Sequence, residues 1–199
     1  MTHSHTLIAQ RTHIPMQTEL DTVKRQRDFP SAIDLVDRVA VALADRVDAD
    51  APDYTDHMQI DDSGGEKSDE ARMHTMLVRI VHHIGPHEVN ALMVVMVSAL
   101  ILIERYLRRT HSDADGNYVF GLRTIQTLYL SFYLLCVKVE DDYTINNLFE
   151  VVHRVLDVEQ AELVYWERHV CSMLAYSLAI SDDVLLKYVE ALQSIQFED

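Results

Sequence analysis

Leu128-Tyr129-Leu130-Ser131-Phe132-Tyr133-Leu134-Leu135-Cys136-Val137-Lys138-Val139-Glu140-Asp141-Asp142 decides how the rest of the chain is read. Between Leu128 and Val137 a single serine interrupts the apolar side chains, and then Lys138, Glu140, Asp141 and Asp142 arrive together. A helix that is apolar all the way round is a buried helix. The lysine that closes it must reach solvent, pair with an acid, or meet a partner.

Outward from that stretch, punctuation defines the elements. No Gly or Pro follows Gly121, and the residues after it show little period-two alternation, so the whole C-terminal part reads as helix. One helix is expected from Leu122 to Glu140. A short one follows through Leu156, capped by Asn146 or Asn147, with Glu150 placed as in a capping box. Asp157 with Gln160 opens a helix to about Tyr176, and Ser181-Asp182-Asp183 opens a last one through Ile195.

Upstream, Gly85-Pro86 separates two further helices, with Gly past one end and Pro just inside the next. The first begins at Ser68-Asp69-Glu70 and places Met73, Met76, Leu77, Ile80, Val81 and Ile84 on one face. The second runs from about His87 to Arg109, and a loop is expected over His111 to Gly121. Its apolar run, Val89 to Ile103, is fifteen residues long, too short to span a bilayer and suited to a core helix. Ser31 caps an amphipathic helix ending near Val47, and Asp48 to Lys67 is a polar loop. Residues 1–30 read as a mobile tail. The class is all-α: five helices between Ser68 and Tyr176, with one flanking helix on each side. The organisation expected is tail 1–30, helix and acidic loop 31–67, main helical domain 68–180 and C-terminal helix 181–199.

Composition excludes several functions. With 17 basic and 32 acidic residues the net charge is −15, unsuited to nucleic acid or an anionic membrane. The densest basic cluster, Lys24-Arg25-Gln26-Arg27, reads as a solvated patch. Cys136 and Cys171 sit in apolar helical patterns and read as reduced residues of an intracellular protein. The first thirty residues hold no continuous hydrophobic segment, so no secretory signal is expected there.

Eleven histidines invite a metal. Glu150-Val-Val-His153 matches one half of a di-iron motif, but such bundles need two such pairs and further glutamates. His83 and His87 are separated by Gly85-Pro86. The His111-to-Leu122 stretch has the wrong residues at both ends of a calcium loop. No phosphate loop, nucleophile elbow or Cys-x-x-Cys pair occurs. Neither cofactor nor catalysis is expected; a helical protein of this kind works by binding another protein.

Several elements in order then resemble the cyclin box, in particular that of the P/U-type (phosphate-system) cyclins. They are the apolar helix ending in Lys138-Val-Glu-Asp141-Asp142, then Ile145-Asn146-Asn147, then Val158-Glu159-Gln160-Ala161-Glu162-Leu163. Glu167 follows, twenty-nine residues after Lys138, and then Met173-Leu174-Ala175-Tyr176-Ser177-Leu178. Leu102-Ile103-Glu104-Arg105-Tyr106-Leu107 resembles the end of the second box helix. The resemblance covers about Met73 to Ile180. It implies a five-helix box and a regulatory subunit, nuclear or cytoplasmic, that binds the αC helix of a cyclin-dependent kinase in cell-cycle or nutrient control. The alternative is a cyclin-fold adaptor for non-kinase partners.

The family's Lys and Glu fall on Lys138 and Glu167, which would pair and bond to the kinase backbone. The resemblance adds Val139, Asp141, Cys171, Tyr176 and Leu178 as kinase contacts. On the residues alone, Lys138 reads as a snorkelling lysine, and Cys171, Tyr176 and Leu178 fit core packing equally well. Two features depart from the family pattern. Tyr143-Thr144-Ile145 carries one residue more than usual, and Met76 to Val81 does not match the substrate-docking Met-Arg-Ala-Ile-Leu motif.

Overall fold

Ser31 and Ser68 start their helices by the same device. The Ser31 hydroxyl accepts the Asp34 N–H at 3.1 Å and the Ser68 hydroxyl accepts the Ala71 N–H at 3.2 Å, each satisfying an amide that the first turn leaves unpaired. The computed structural model describes residues 31–47, 68–86, 88–113, 120–140, 145–156 and 158–195. All regular structure among them is helical: α1 (Ala32–Ala44), α2 (Asp69–Ile84), α3 (Val89–Asp113), α4 (Leu122–Glu140), α5 (Ile145–Leu156), α6 (Gln160–Met173) and α7 (Asp182–Gln193). The expected tail 1–30, the loop 48–67, Asp141 and Asp157 lie outside the described residues.

α4 is the axle. Ile125, Leu128, Tyr129, Leu130, Phe132, Tyr133 and Leu134 to Val137 are all buried, as are Thr124, Gln126, Thr127 and Ser131. Two of the polar members are satisfied within the helix itself: Thr127 donates to the Arg123 carbonyl at 2.9 Å and Ser131 to that of Thr127 at 2.8 Å. α4 packs chiefly on α3 and α6, and more lightly on α2. α1 lies on α2 and α3; α5 bridges α2 and α6; α7 lies on α3 and touches α1.

Several boundaries differ from those expected. α3 continues to Asp113, so His111 to Asp113 is helix rather than loop. No Gly or Pro interrupts the chain there, and buried Thr110 bonds back to the carbonyls of Tyr106 and Leu107. α3 is also longer than its apolar run. Val89–Thr110 is long and apolar enough by length and composition to cross a membrane, with 67% of an 18-residue apolar stretch within it buried inside the fold.

α5 begins at Ile145, so Asn146 and Asn147 fall within its first turn rather than at its cap. Glu150 is not part of a capping box: its carboxylate takes the Arg154 guanidinium at 2.8 Å. α6 begins after Glu159, whose side chain makes no capping bond, and ends at Met173, three residues before the expected Tyr176. α1 ends at Ala44 and closes through tight turns at Arg46 and Val47. α7 ends at Gln193, and Ser194 and Ile195 form its closing turn.

Gly85 is required by space. Its N–H donates to the Val81 carbonyl at 3.1 Å, and a Cβ there would lie 2.5 Å from that same oxygen. The flanking helices are tied down by charge. Arg38 of α1 pairs with Asp34 at 3.0 Å and donates to the carbonyls of Leu192, Gln193 and Ile195 at 2.9, 3.1 and 2.8 Å, capping the end of α7. Glu104 of α3 holds Arg46 beyond the end of α1, Tyr188 of α7, and Arg108 at 3.2 Å.

Candidate partner-binding surface

On α6 the inward positions are Leu163, Val170 and Cys171, and Glu167 falls in the same stripe, four residues after Leu163 and four before Cys171. Helical spacing therefore directs a carboxylate toward apolar neighbours, where an unpaired charge is costly. Lys138 faces the complementary problem at the end of α4, one residue beyond buried Val137. Packing of α4 on α6 brings the two together: Lys138 Nζ donates to Glu167 Oε2 at 2.6 Å, with the side chains 14% and 26% exposed. A pair so placed is short, charge-assisted and only partly screened by water.

The thiol of Cys171 senses both ions. Burial pushes its pKa up, the Glu167 carboxylate pushes it further, and Lys138 pulls it back. Cys171 itself is buried, so it belongs to the wall behind the pair rather than to its open side.

The open side is formed differently. Val139, next to Lys138, and Tyr176, beyond α6, are each 74% exposed. Tyr176 is held out by the way α6 ends. Its N–H donates to the Cys171 carbonyl at 2.8 Å and the Ala175 N–H to that of Ser172 at 2.9 Å, the paired bonds of a Schellman closure. Glycine usually takes the left-handed position of that motif. Here Ala175 has φ 48° and Tyr176 φ 58°, so two side-chain-bearing residues occupy a region costly to both.

The segment beyond is pinned by Arg105 of α3, which donates to the Ala179 carbonyl at 2.8 Å, while Leu178 and Ile180 pack half-buried against the core. Of the residues singled out in the sequence, Lys138, Glu167 and Cys171 are brought together, Val139 and Tyr176 are presented to solvent, and Leu178 faces inward. Asp141 lies outside the described residues.

The side chains of the Glu150–His153 motif have other occupations, while His87 and most of the 111–122 stretch lie outside the described residues. Glu150 pairs with Arg154, and His153 Nδ1 lies 3.1 Å from the Val158 carbonyl oxygen. Among the described residues no group of three potential metal-ligating side chains is gathered.

Two features were missed in the sequence. The first is an aromatic cluster on α3 and α6: the Tyr106 hydroxyl lies 3.0 Å from His169 Nε2, and the ring of Tyr165 stacks on His169 with centroids 6.0 Å apart. Burial lowers the His169 pKa, favouring the neutral ring. The four-residue spacing of Tyr165 and His169 was its only sequence signal. The second is a basic cleft between α2 and α5, lined by Arg79, His83, Val151 and Arg154. Its residues are far apart in the chain and carry no motif. No protein-family model, curated protein or solved structure matches this chain.

Proposed function

We propose that this chain is a cyclin: a non-catalytic regulatory subunit whose α2 to α6 form a five-helix cyclin box, flanked by α1 and α7, that binds and activates a cyclin-dependent protein kinase. The observation that carries the reading is the Lys138–Glu167 pair, 2.6 Å apart, at the residues where the sequence resemblance puts the kinase-binding lysine and glutamate. The exposed Val139 and Tyr176 support it, because isolated apolar side chains beside a half-buried ion pair suit a helix laid across them.

In this reading α4 is support, and the working surface is its tip together with the end of α6. The kinase αC helix lies against Val139 and Tyr176, with the half-buried Leu178 and the buried Cys171 behind them. Lys138 and Glu167 use their remaining hydrogen-bonding capacity on kinase backbone groups. The activity regulated is cell-cycle or nutrient-response phosphorylation, inside the cell.

The experiment is affinity purification from the native cell with the wild-type chain and three variants. Tyr176→Ala and Val139→Glu alter exposed side chains and are expected to leave helical circular dichroism intact while kinase recovery falls at least tenfold. The charge-swapped Lys138→Glu/Glu167→Lys chain restores an ion pair but reverses every bond to the partner, and is expected to fold and not bind. Undiminished kinase recovery by all three would sink the reading. Stable recovery of a non-kinase protein alone would favour an adaptor.

A further inference from the structure

Arg79 and His83 stand one turn apart on α2, Val151 and Arg154 lie on α5, and among the described residues these line a cleft of about 540 Å³. This is an unusual concentration for a chain of net charge −15. Helix ends account for part of it. His83 and Arg154 lie in the last turns of α2 and α5, where a cation offsets the carbonyl end of a helix. Arg79 stands one turn earlier on α2 and brings a second guanidinium to the same opening.

The nearby carboxylate, Glu150, holds Arg154 at 2.8 Å, but the two side chains are 67% and 72% exposed. An exposed pair of this kind is weak and screened by salt, so an arriving anion displaces the carboxylate easily. Two forked guanidiniums and an imidazole around one opening match the several oxygens of a phosphate better than the two of a carboxylate. The cleft is also the size of sites that hold whole small molecules, roughly 300–1,000 Å³, and Val151 gives it an apolar wall.

We propose that the α2–α5 cleft binds a phosphate monoester dianion. Arg79 and Arg154 hold the phosphate oxygens, His83 donates a further hydrogen bond, and Val151 packs on the carbon side of the ester. The site uses none of the residues assigned to kinase binding and stands independently of that function.

The test follows the His83 ring resonances of the full chain by NMR at pH 7. The additions are inorganic phosphate, O-phospho-L-serine, or an alanine-flanked phosphoserine peptide, each against sodium chloride of matched ionic strength. A saturable shift with the two esters is expected, weaker with inorganic phosphate. Tighter binding of the peptide than of the amino acid would identify a phosphoprotein as the source of the ester, and equal binding a small metabolite. Arg154→Gln, an exposed position, is expected to weaken ester binding about tenfold, and Glu150→Gln to tighten it by removing the competing carboxylate. Shifts reproduced by chloride, or ester affinities unmoved by both substitutions, would overturn the proposal. Inorganic phosphate binding as tightly as either ester would overturn the ester assignment.

Discussion

Lys138 Nζ lies 2.6 Å from Glu167 Oε2, joining the last turn of α4 to the inward stripe of α6 with both side chains largely out of water. Removing either partner takes away this charge-assisted bond beside apolar neighbours. Lys138→Met or Glu167→Gln is expected to lower stability by about 1–3 kcal/mol. The double variant is expected to lose less than the sum of the singles, because the same bond can be lost only once. Urea midpoints of the four proteins measure this, and strict additivity would show that the pair is not coupled.

The Glu104 cluster makes stability depend on pH at both extremes. Burial alone would raise the Glu104 pKa, but the Tyr188 hydroxyl and the charges of Arg46 and Arg108 outweigh it and hold the carboxyl below 4.5. The unfolded chain therefore takes up this proton first. The contribution is complete above pH 4.5 and is lost as pH falls through the depressed folded value. Tyr188 behaves in the opposite sense. Burial, then the bond and charge of Glu104, push its pKa from 10.0 up to about 12, so its contribution is whole below pH 10.0 and fades as pH rises through about 12. Thermal melts across pH are expected to lose part of the acid limb in Glu104→Gln and part of the alkaline limb in Tyr188→Phe.

Ala175 occupies the position where helices that end this way usually carry glycine, at φ 48°. Ala175→Gly removes a left-handed penalty of about 1–2 kcal/mol and gives back about 0.5–1 kcal/mol as chain entropy. A net gain of roughly 0.5–1 kcal/mol is expected, seen as a higher urea midpoint with unchanged slope. A loss of stability would mean that the Ala175 methyl packs in a way that compensates its backbone.

Tyr133 carries a buried hydroxyl without a hydrogen-bond partner in the structure, and burial raises its pKa well above the usual range. Its ring packs 6.2 Å from that of Tyr129, whose own hydroxyl donates to the Met96 carbonyl at 3.3 Å. Tyr133→Phe keeps the ring and removes the desolvated oxygen. It is expected to stabilise by about 1 kcal/mol, whereas Tyr129→Phe removes a made hydrogen bond to the Met96 carbonyl and is expected to cost about that much. Paired melting curves distinguish the two.

The helical elements and the buried character of α4 were legible because both are local or periodic properties. Leu128 to Val137 has no polar face to turn to water, and Gly85-Pro86 is punctuation in any context. Helix ends were less legible. Glu150 had a capping role available to it and an ion pair with Arg154 four residues on, and the structure has the ion pair. Asp113 is helical because no Gly or Pro before it breaks the helix, although a loop is expected from His111 on the sequence alone.

The site divides in the same way. By itself the sequence determined a set of helices around one helix with no polar face, and it marked Lys138 as a charge closing that helix, while Glu167 was singled out only by the resemblance. Only the tertiary structure decided that these charges meet, that Arg38 ties α1 to the end of α7, and that Cys171 turns inward while Tyr176 points out. It alone gathered Arg79, His83 and Arg154 around one cleft. Periodicity reports which face of a helix is apolar. Which helix covers that face, and which distant side chain arrives with it, depends on packing between elements far apart in the chain, and no local pattern records that.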